Sequence, residues 1–547
     1  MSQSNGQSNH TVAGVADEVR VPTRAWRFVR EQWPLLLIAL AALLAGAIAL
    51  LSQYFPYSKE NVAKSLLKSF PGELKFDRFE PTYFPRPGCK AEGVTFRLPL
   101  SAMSAPPLVT IRKMTIQGNY LALLFHPHHV PQMVLDGLHV QVPTPGNAGV
   151  FPGGHTTYKT TIDEVTASGT LLEVARSGAK PPLRFVFQEL SFWSVNAETG
   201  LSYHLAMHNP EPPGEIRSSG NVGPLELAKF GETPLSGTYS LDRADLSVFD
   251  GIAGSLSSKG SFSGSLGGVN VQGTTEIPGF EVLRSGHAGD LRAQFSARVD
   301  ARNGDVSLNE VKASYGKTQI LADGSVAKKK GWEGKFTSLD FTVRDGRIED
   351  IVRMFAKGHG HQSPIAGTTS FQAHVTVPPE AKPFLREVIL DGEFDIRNGH
   401  FEHPKTQTKV DIFSEKARGQ KKGDPHKDIR EEDPPENVTS QLGGRVALRS
   451  GVAQFTDVTF AVPGASAEAQ GTFNVLNEKI DFHGTVKIDA NASQQTSGTK
   501  SIFAKVLDPF FKKKHGSIVP VKMGGTYDKP AFGLDLGSGK NGTPSSH

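Results

Sequence analysis

Gly316-Lys317-Thr318 ends like a phosphate-binding loop, in which backbone N–H groups and a lysine cradle a nucleotide's phosphates. That motif needs a glycine five residues earlier, and Val311 stands there inside a strand-like run. Histidines gather at His126, His128 and His129, at His359 and His361, and at His204 and His208. A zinc protease would place a glutamate after the first of two histidines four apart, but Leu205 follows His204. In an extended strand those two would share a face about 13 Å apart at ~3.3 Å per residue, too far to hold one metal. The single cysteine, Cys89, excludes an intrachain disulfide. Its neighbourhood, Pro85-Arg86-Pro87-Gly88-Cys89, offers no histidine to activate it. No Cys/His spacing resembles a zinc site, no G-x-S-x-G elbow occurs, and no carboxylate pair stands out. The runs Lys328-Lys329-Lys330 and Lys512-Lys513-Lys514 lack the interleaved aromatics on which nucleic-acid bases stack. With 59 Lys+Arg against 55 Asp+Glu, the formal net charge is only +4. These residues point to no enzyme, no metal, no cofactor and no nucleic-acid partner.

The elements around them are mostly short strands. Glycine (57) and proline (36) are abundant in the 547 residues, a balance that suits turns and strands better than helices. Glu393-Phe394-Asp395-Ile396-Arg397 alternates and meets a predicted turn at Asn398-Gly399. Arg445-Val446-Ala447-Leu448-Arg449 repeats the pattern before Ser450-Gly451. Val458, Phe460 and Val462 share a face, as do Phe473 and Val475, and then Ile480, Phe482, Val486 and Ile488. Units of about ten residues closed by glycine read as an antiparallel meander, and more degenerate units precede them at Gly260–Gly264, Phe295–Val299 and Gly324–Ala327. Helical interruptions are predicted at Ser58–Phe70, Pro224–Phe230, Arg347–Ala356, Pro383–Val388 and Ser501–Lys514. In the last of these, Ile502, Phe503, Val506, Leu507, Phe510 and Phe511 form a candidate cap over apolar surface, with the three lysines at its solvated end. Residues 414–437 are rich in charge and nearly devoid of apolar side chains, so they read as a disordered insertion.

Pro34–Leu51 is an uncharged apolar run of 18 residues. As a helix it would span roughly 27 Å, close to the ~30 Å bilayer core. Trp33 and Tyr54 flank it, and Arg20, Arg24, Arg27 and Arg30 precede it. The competing reading is a cleaved signal peptide, but the leader is long and Ala45-Gly46-Ala47 lies inside the apolar run. The expected organisation is a largely disordered cytoplasmic arm (1–33), a transmembrane signal anchor (34–54), two β-rich regions (56–230 and 231–540) and a disordered tail (541–547).

The order of these features resembles the AsmA family of bacterial envelope proteins, related to TamB-type bridge-like lipid-transfer proteins. At the N-terminal end the match is carried by Leu74-Lys75-Phe76-Asp77-Arg78-Phe79, the Tyr83-Phe84-Pro85 step, Val94-Thr95-Phe96, Pro107-Leu108-Val109-Thr110-Ile111 and Val134-Leu135-Asp136-Gly137-Leu138. At the C-terminal end it is carried by DGEFDIRNGHF, GGRVALRSGVAQFTDVTFAVPGASAEAQGTFNV, NEKIDFHGTVKID and VPVKMGGTYDKPAFGLDL. The resemblance implies a mainly β body behind the anchor, an elongated curved antiparallel sheet forming an open trough with a few short capping helices. It further implies a single-pass inner-membrane protein with its bulk in the periplasm, supporting phospholipid transport between membranes or outer-membrane biogenesis. Its partners would be phospholipids, the inner membrane through residues 34–54, and an outer-membrane or envelope protein. On this reading Phe394, Ile396, Val446, Leu448, Val458, Phe460, Phe473, Val475, Ile480, Phe482, Val486 and Ile488 line the lipid groove. Roughly 25 strands at ~4.8 Å spacing would extend it to about 120 Å. Two alternatives stay open: an envelope scaffold that assists outer-membrane protein assembly without moving lipid, and an ordinary sandwich core behind the same apolar alternation.

Overall fold

The computed structural model describes residues 55–69, 72–97, 108–125, 129–142, 161–176, 181–196, 198–224, 227–249, 251–282, 287–332, 334–355, 363, 365–379, 384–418, 437–488, 518–526 and 529–535. The apolar run 34–54, the candidate cap helix Ser501–Lys514 with its six apolar residues, and most of the charged insertion lie outside these residues. Among the described residues, no helix is long and apolar enough to cross a membrane. The chain divides into two units, Met1–Lys64 and Ser65–His547. In the first, Phe55 and Tyr57 pack edge to face at 5.5 Å, and Ser58 starts helix α1 (Lys59–Ser69), its Oγ accepting from Asn61 N.

The second unit is mainly β. Its strands are β1 (Glu73–Lys75), β2 (Arg78–Thr82), β3 (Gly88–Arg97), β4 (Val109–Gln117), β5 (His129–Val142), β6 (Thr161–Ser168), β7 (Thr170–Val174), β8 (Leu183–Asn196), β9 (Gly200–Pro210) and β10 (Pro213–Val222). They continue as β11 (Pro234–Asp245), β12 (Ile252–Ala253), β13 (Ser255–Ser265), β14 (Gly268–Val282), β15 (Gly289–Asp300), β16 (Asp305–Tyr315), β17 (Thr318–Lys328) and β18 (Lys335–Arg347). The last are β19 (Ile365–Val377), β20 (Ile389–Phe401), β21 (Ser440–Arg449), β22 (Val452–Val462), β23 (Ala465–Asn474), β24 (Lys479–Ile488), β25 (Ile518–Thr526) and β26 (Lys529–Leu534). Twenty-five strands form one ladder, and the two-residue β12 pairs with the end of β14. Neighbours are antiparallel throughout except that β5 runs parallel to β6 and β7. The ladder crosses residues 230–231 without interruption, because β10 pairs with β11 over eight positions.

Three pairs of strands share a place: β1 with β2 against β3, β6 with β7 between β5 and β8, and β12 with β13 against β14. The 26 strands therefore occupy 23 ladder positions, about 105 Å of sheet at ~4.8 Å per step.

Antiparallel order sends successive connections to opposite edges of the sheet. Helix α2 (Tyr120–Phe125) joins β4 to β5 on one edge. Helices α3 (Ile348–Phe355) and α5 (Pro404–Ala417) rise from the other, while the short α4 (Phe384–Glu387) precedes β20 on the α2 edge. Helix α3 follows from its sequence: Ile348, Ile351 and Val352 form an apolar stripe, Glu349 and Asp350 stand in the first turn, and Arg353 in the last. It covers a core of Tyr315, Ile320, Val343 and Met354. Helix α5 begins with Pro404, a favoured first residue, and helps bury Ala417, Val462, Ala465, Ile488 and Val519, with Val410 and Phe413 packed alongside.

Two details correct the expectations. Asn398-Gly399 is not a turn, since β20 runs on to Phe401 with Asn398 at φ +55° inside a β-bulge. The residues that favour a turn also suit the left-handed bulge position, so local sequence does not distinguish the two. Ser414–Ala417, assigned to the disordered insertion, is instead the last turn of α5. Ser450-Gly451 is the expected two-residue hairpin, with both φ angles positive (49° and 79°) as a type I′ turn requires.

Candidate functional site

Residues directly opposite each other in a ladder point to the same face of a sheet. Register therefore decides whether apolar positions on separate strands belong together. In the C-terminal half Leu390 pairs with Leu448, Leu442 with Phe460, Val446 with Phe455, Ala453 with Phe473 and Phe473 with Ile480. Val458 pairs with Ala469, Gly471 with Phe482, Ala467 with Val486 and Ala465 with Ile488. Phe394 and Ile396 join through Gly444 and Leu442. The sheet thus brings eleven of the twelve candidate lining residues onto one face. Val475 is the exception: it follows the end of β23 in a turn, where its N–H donates to Gly451 O at 2.9 Å.

The same face continues through the first half of the sheet. Beginning at β2, the paired residues are Phe79, Ala91, Met114, Leu135, Ala167, Leu190 and Leu205. The line goes on through Ser218, Tyr239, Gly260, Gly273, Phe295, Val311 and Ala322. It ends through Phe341, Ala373, Gly392, Val446, Phe455, Gly471, Phe482 and Met523. These 22 residues, one on each successive ladder position, include no charged side chain. None is exposed, and from Leu205 onward all are half-buried rather than buried. From Leu205 onward, complete burial on this face is concentrated toward the sheet edges, under α3 and α5 for example. Some hydroxyls on the face pair with one another: Tyr203 with Ser218 at 3.0 Å, and Tyr239 and Thr275 with Ser258 at 3.1 Å each. Burial pushes the Tyr203 phenol up from its ordinary range.

Glycine and aromatic residues alternate along parts of this line. Phe394, paired with Gly444, approaches Phe455 to 6.2 Å, and Phe455 and Phe482 approach to 5.4 Å over Gly471. A Cβ on Gly471 would stand 2.5 Å from Phe482 Cγ, one on Gly237 2.8 Å from Phe262 Cζ, and one on Gly260 2.9 Å from Tyr239 Cε1. Each missing side chain leaves room for a ring from the neighbouring strand.

The opposite face is polar and ionic. On β24, Lys479, Asp481, His483, Thr485 and Lys487 are exposed while the alternate residues are covered. Arg449 Nη2 holds both carboxylate oxygens of Asp391 at 2.7 Å, and Arg112 holds the Asp136 carboxyl below the usual carboxylate range. Histidines here meet carboxylates: His139 with Glu173, His208 with Glu215, His374 with Asp340 and His483 with Asp535. His204 faces Glu189 at 3.5 Å, so His204 and His208 have separate acidic partners. Among the described residues no group of three His, Cys, Asp or Glu side chains could hold a metal ion.

The other chemical candidates have structural partners too. Gly316 and Lys317 form the tight β16–β17 turn, where Lys317 N and Thr318 Oγ1 donate to Asp350 of α3 at 2.8 and 2.9 Å. A side-chain carboxylate thus occupies donors that a phosphate would need. Cys89 is 1% exposed, and burial pushes its thiol up to about 12, far from a thiolate nucleophile. A recess of about 670 Å³ lies beside α3, lined by Arg292, Ser314, Gly316, Asp350 and Arg353 among others, and its polar lining does not extend the apolar line.

Comparison of the chain with protein-family models, with curated proteins and with solved structures yields no match.

Proposed function

We propose that the apolar face is a phospholipid-carrying surface, and that the protein moves lipid between membranes without covalent chemistry. In this reading the sheet coils around the face as an open trough, residues 34–54 anchor it in the inner membrane, and the β body stands in the periplasm. The observation that carries it is the uncharged line from Phe79 to Met523, half-covered over most of its course. Exposing both tails of a phospholipid to water would cost roughly 25 kcal/mol at ~0.8 kcal/mol per CH₂ over about 30 carbons. Moving lipid across water therefore calls for continuous apolar contact, which one isolated pocket does not supply. The inward glycines support the curvature: the neighbouring strand's carbonyl stands where a Cβ would sit, at 2.2 Å for Gly260 and 2.3 Å for Gly471.

The test is a photo-crosslinking amino acid placed at Phe482 and, in a separate variant, at its exposed neighbour His483, in the full-length protein in cells grown with radiolabelled phosphate. Labelled phospholipid on the Phe482 variant and none on the His483 variant is the expected result. Equal labelling of both, or none at either, removes the proposal and favours a scaffold that carries no lipid.

A further inference from the structure

Apolar residues that the sheet does not cover gather at one place on its N-terminal end. Phe84 is 86% exposed, Leu121 66%, Tyr83 49% and Tyr120 41%. They come from two connections that leave the sheet side by side, because Gly88 of β3 pairs with Gln117 of β4. Gly118 N donates to Pro87 O at 2.6 Å, and the Tyr120 hydroxyl donates to Tyr83 O. Leu121 N is held by Asn119 Oδ1 at 2.9 Å, which fixes the start of α2. The patch is thus built on hydrogen-bonded backbone. Arg86, exposed and without an ion pair among the described residues, stands two positions after Phe84.

We infer that Tyr83, Phe84, Tyr120 and Leu121 insert into the interfacial layer of a lipid bilayer. Aromatic rings with a polar tip or edge suit that layer, and a neighbouring arginine suits an anionic surface. Four side chains expose on the order of 400 Å², about half of what one partner gives to a standard protein interface. A small apolar patch is enough to orient a protein already tethered to a membrane. The inference rests on the membrane-anchored reading above, and it adds which part of the sheet touches the lipid surface.

Site-specific labelling of the full-length chain tests it. The native Cys89 is buried with its thiol pushed up to about 12, so it stays unlabelled while introduced cysteines react. Phe84→Cys, Leu121→Cys and the control Thr485→Cys each receive an environment-sensitive fluorophore. The proteins are then reconstituted into phosphatidylethanolamine–phosphatidylglycerol vesicles carrying a nitroxide lipid. Blue-shifted emission with strong quenching at residues 84 and 121, and neither at 485, is the expected result. Quenching should be stronger from a nitroxide near the carbonyl end of the acyl chain than from one at its methyl end. Unshifted and unquenched emission at both patch positions overturns the inference. A blue shift without quenching also overturns it, because protein rather than lipid then covers the patch. Crosslinking at Phe482 is read separately, so loss of the patch contact leaves the lipid-carrying face standing, and the reverse also holds.

Discussion

Ala373→Asp places a carboxylate inside the apolar line, between Phe341 on β18 and Gly392 on β20. Ala373 is half-buried and small, so little packing is lost and the new side chain reaches water. The folding cost is expected near the ordinary mutational value of about 1 kcal/mol. On the lipid-carrying proposal, the effect on lipid passage is larger. One ladder step is ~4.8 Å, and a hydrated carboxylate there would strip roughly four methylenes of one tail from the face, a penalty of about 3 kcal/mol at ~0.8 kcal/mol each. That corresponds to about a hundredfold slower passage. The assay combines the substitution with photo-crosslinkers at Leu135, on the N-terminal side of the block, and at Phe482, beyond it. Labelled phospholipid should persist at Leu135 and fall steeply at Phe482, with the melting transition nearly unchanged. Unchanged labelling at Phe482 would refute the idea of one continuous path. Cooperative unfolding by this small change would refute the half-open face and favour a closed core.

Three further outcomes follow from particular contacts. Asp350→Ala removes the acceptor for Lys317 N and Thr318 Oγ1, so chemical denaturation should show a loss of about 1.5–3 kcal/mol, with early proteolysis near α3. Gly471→Val drives a side chain into the Phe482 ring and the Asp481 carbonyl, at an expected cost of about 1–3 kcal/mol. At Gly443, where the nearest atom to an added Cβ is 3.3 Å away, Gly→Ala should cost clearly less in the same denaturation assay. The hydrogen bond that the His483 ring donates to the Asp535 carboxylate raises the His483 pKa above its ordinary value of 6.5, so its stabilising contribution is complete below that value and is lost as pH rises through the folded pKa. Imidazole resonances followed by NMR should show the raised titration, and Asp535→Asn should return it toward the ordinary value.

Much of the C-terminal half was legible where its strands are regular. Ile480, Phe482, Val486 and Ile488 alternate with exposed polar residues along a strand that follows the simple period of two. The rest was hidden for identifiable reasons. In β11, β14, β18, β20 and β22 a bulge brings residues three apart onto one face, with Arg243, Gly279, Asp345, Asn398 and Asp457 at positive φ. Phe455 pairs on the same face as Val458 for this reason, though alternation alone would put them on opposite faces. Helix α5 escaped notice because its buried positions include Gln407, Asp411 and Ser414, which lack apolar periodicity. Gln407 donates to Asp411 Oδ1 and Val438 O, and Ser414 donates to Pro463 O, so a polar network rather than an oily stripe docks the helix.

The bulges and the inward glycines serve one geometric requirement. A long antiparallel sheet accumulates twist, and its strands must bend and approach closely to keep one face apolar along their whole length. Bulges let the parts of a strand on either side present apolar residues to the same face, and five of the strands running toward the α3–α5 edge have one with a residue at positive φ. Glycines let adjacent backbones and aromatic rings approach on the apolar side, as at Gly260 and Gly471. Neither device adds apolar surface of its own. What they preserve is a broad apolar face, along which 22 directly paired residues form one uninterrupted line. A sandwich core needs no such continuity from strand to strand, because a second layer can fill local breaks. A surface along which a flexible chain moves does need it, since a single charged step interrupts the whole path.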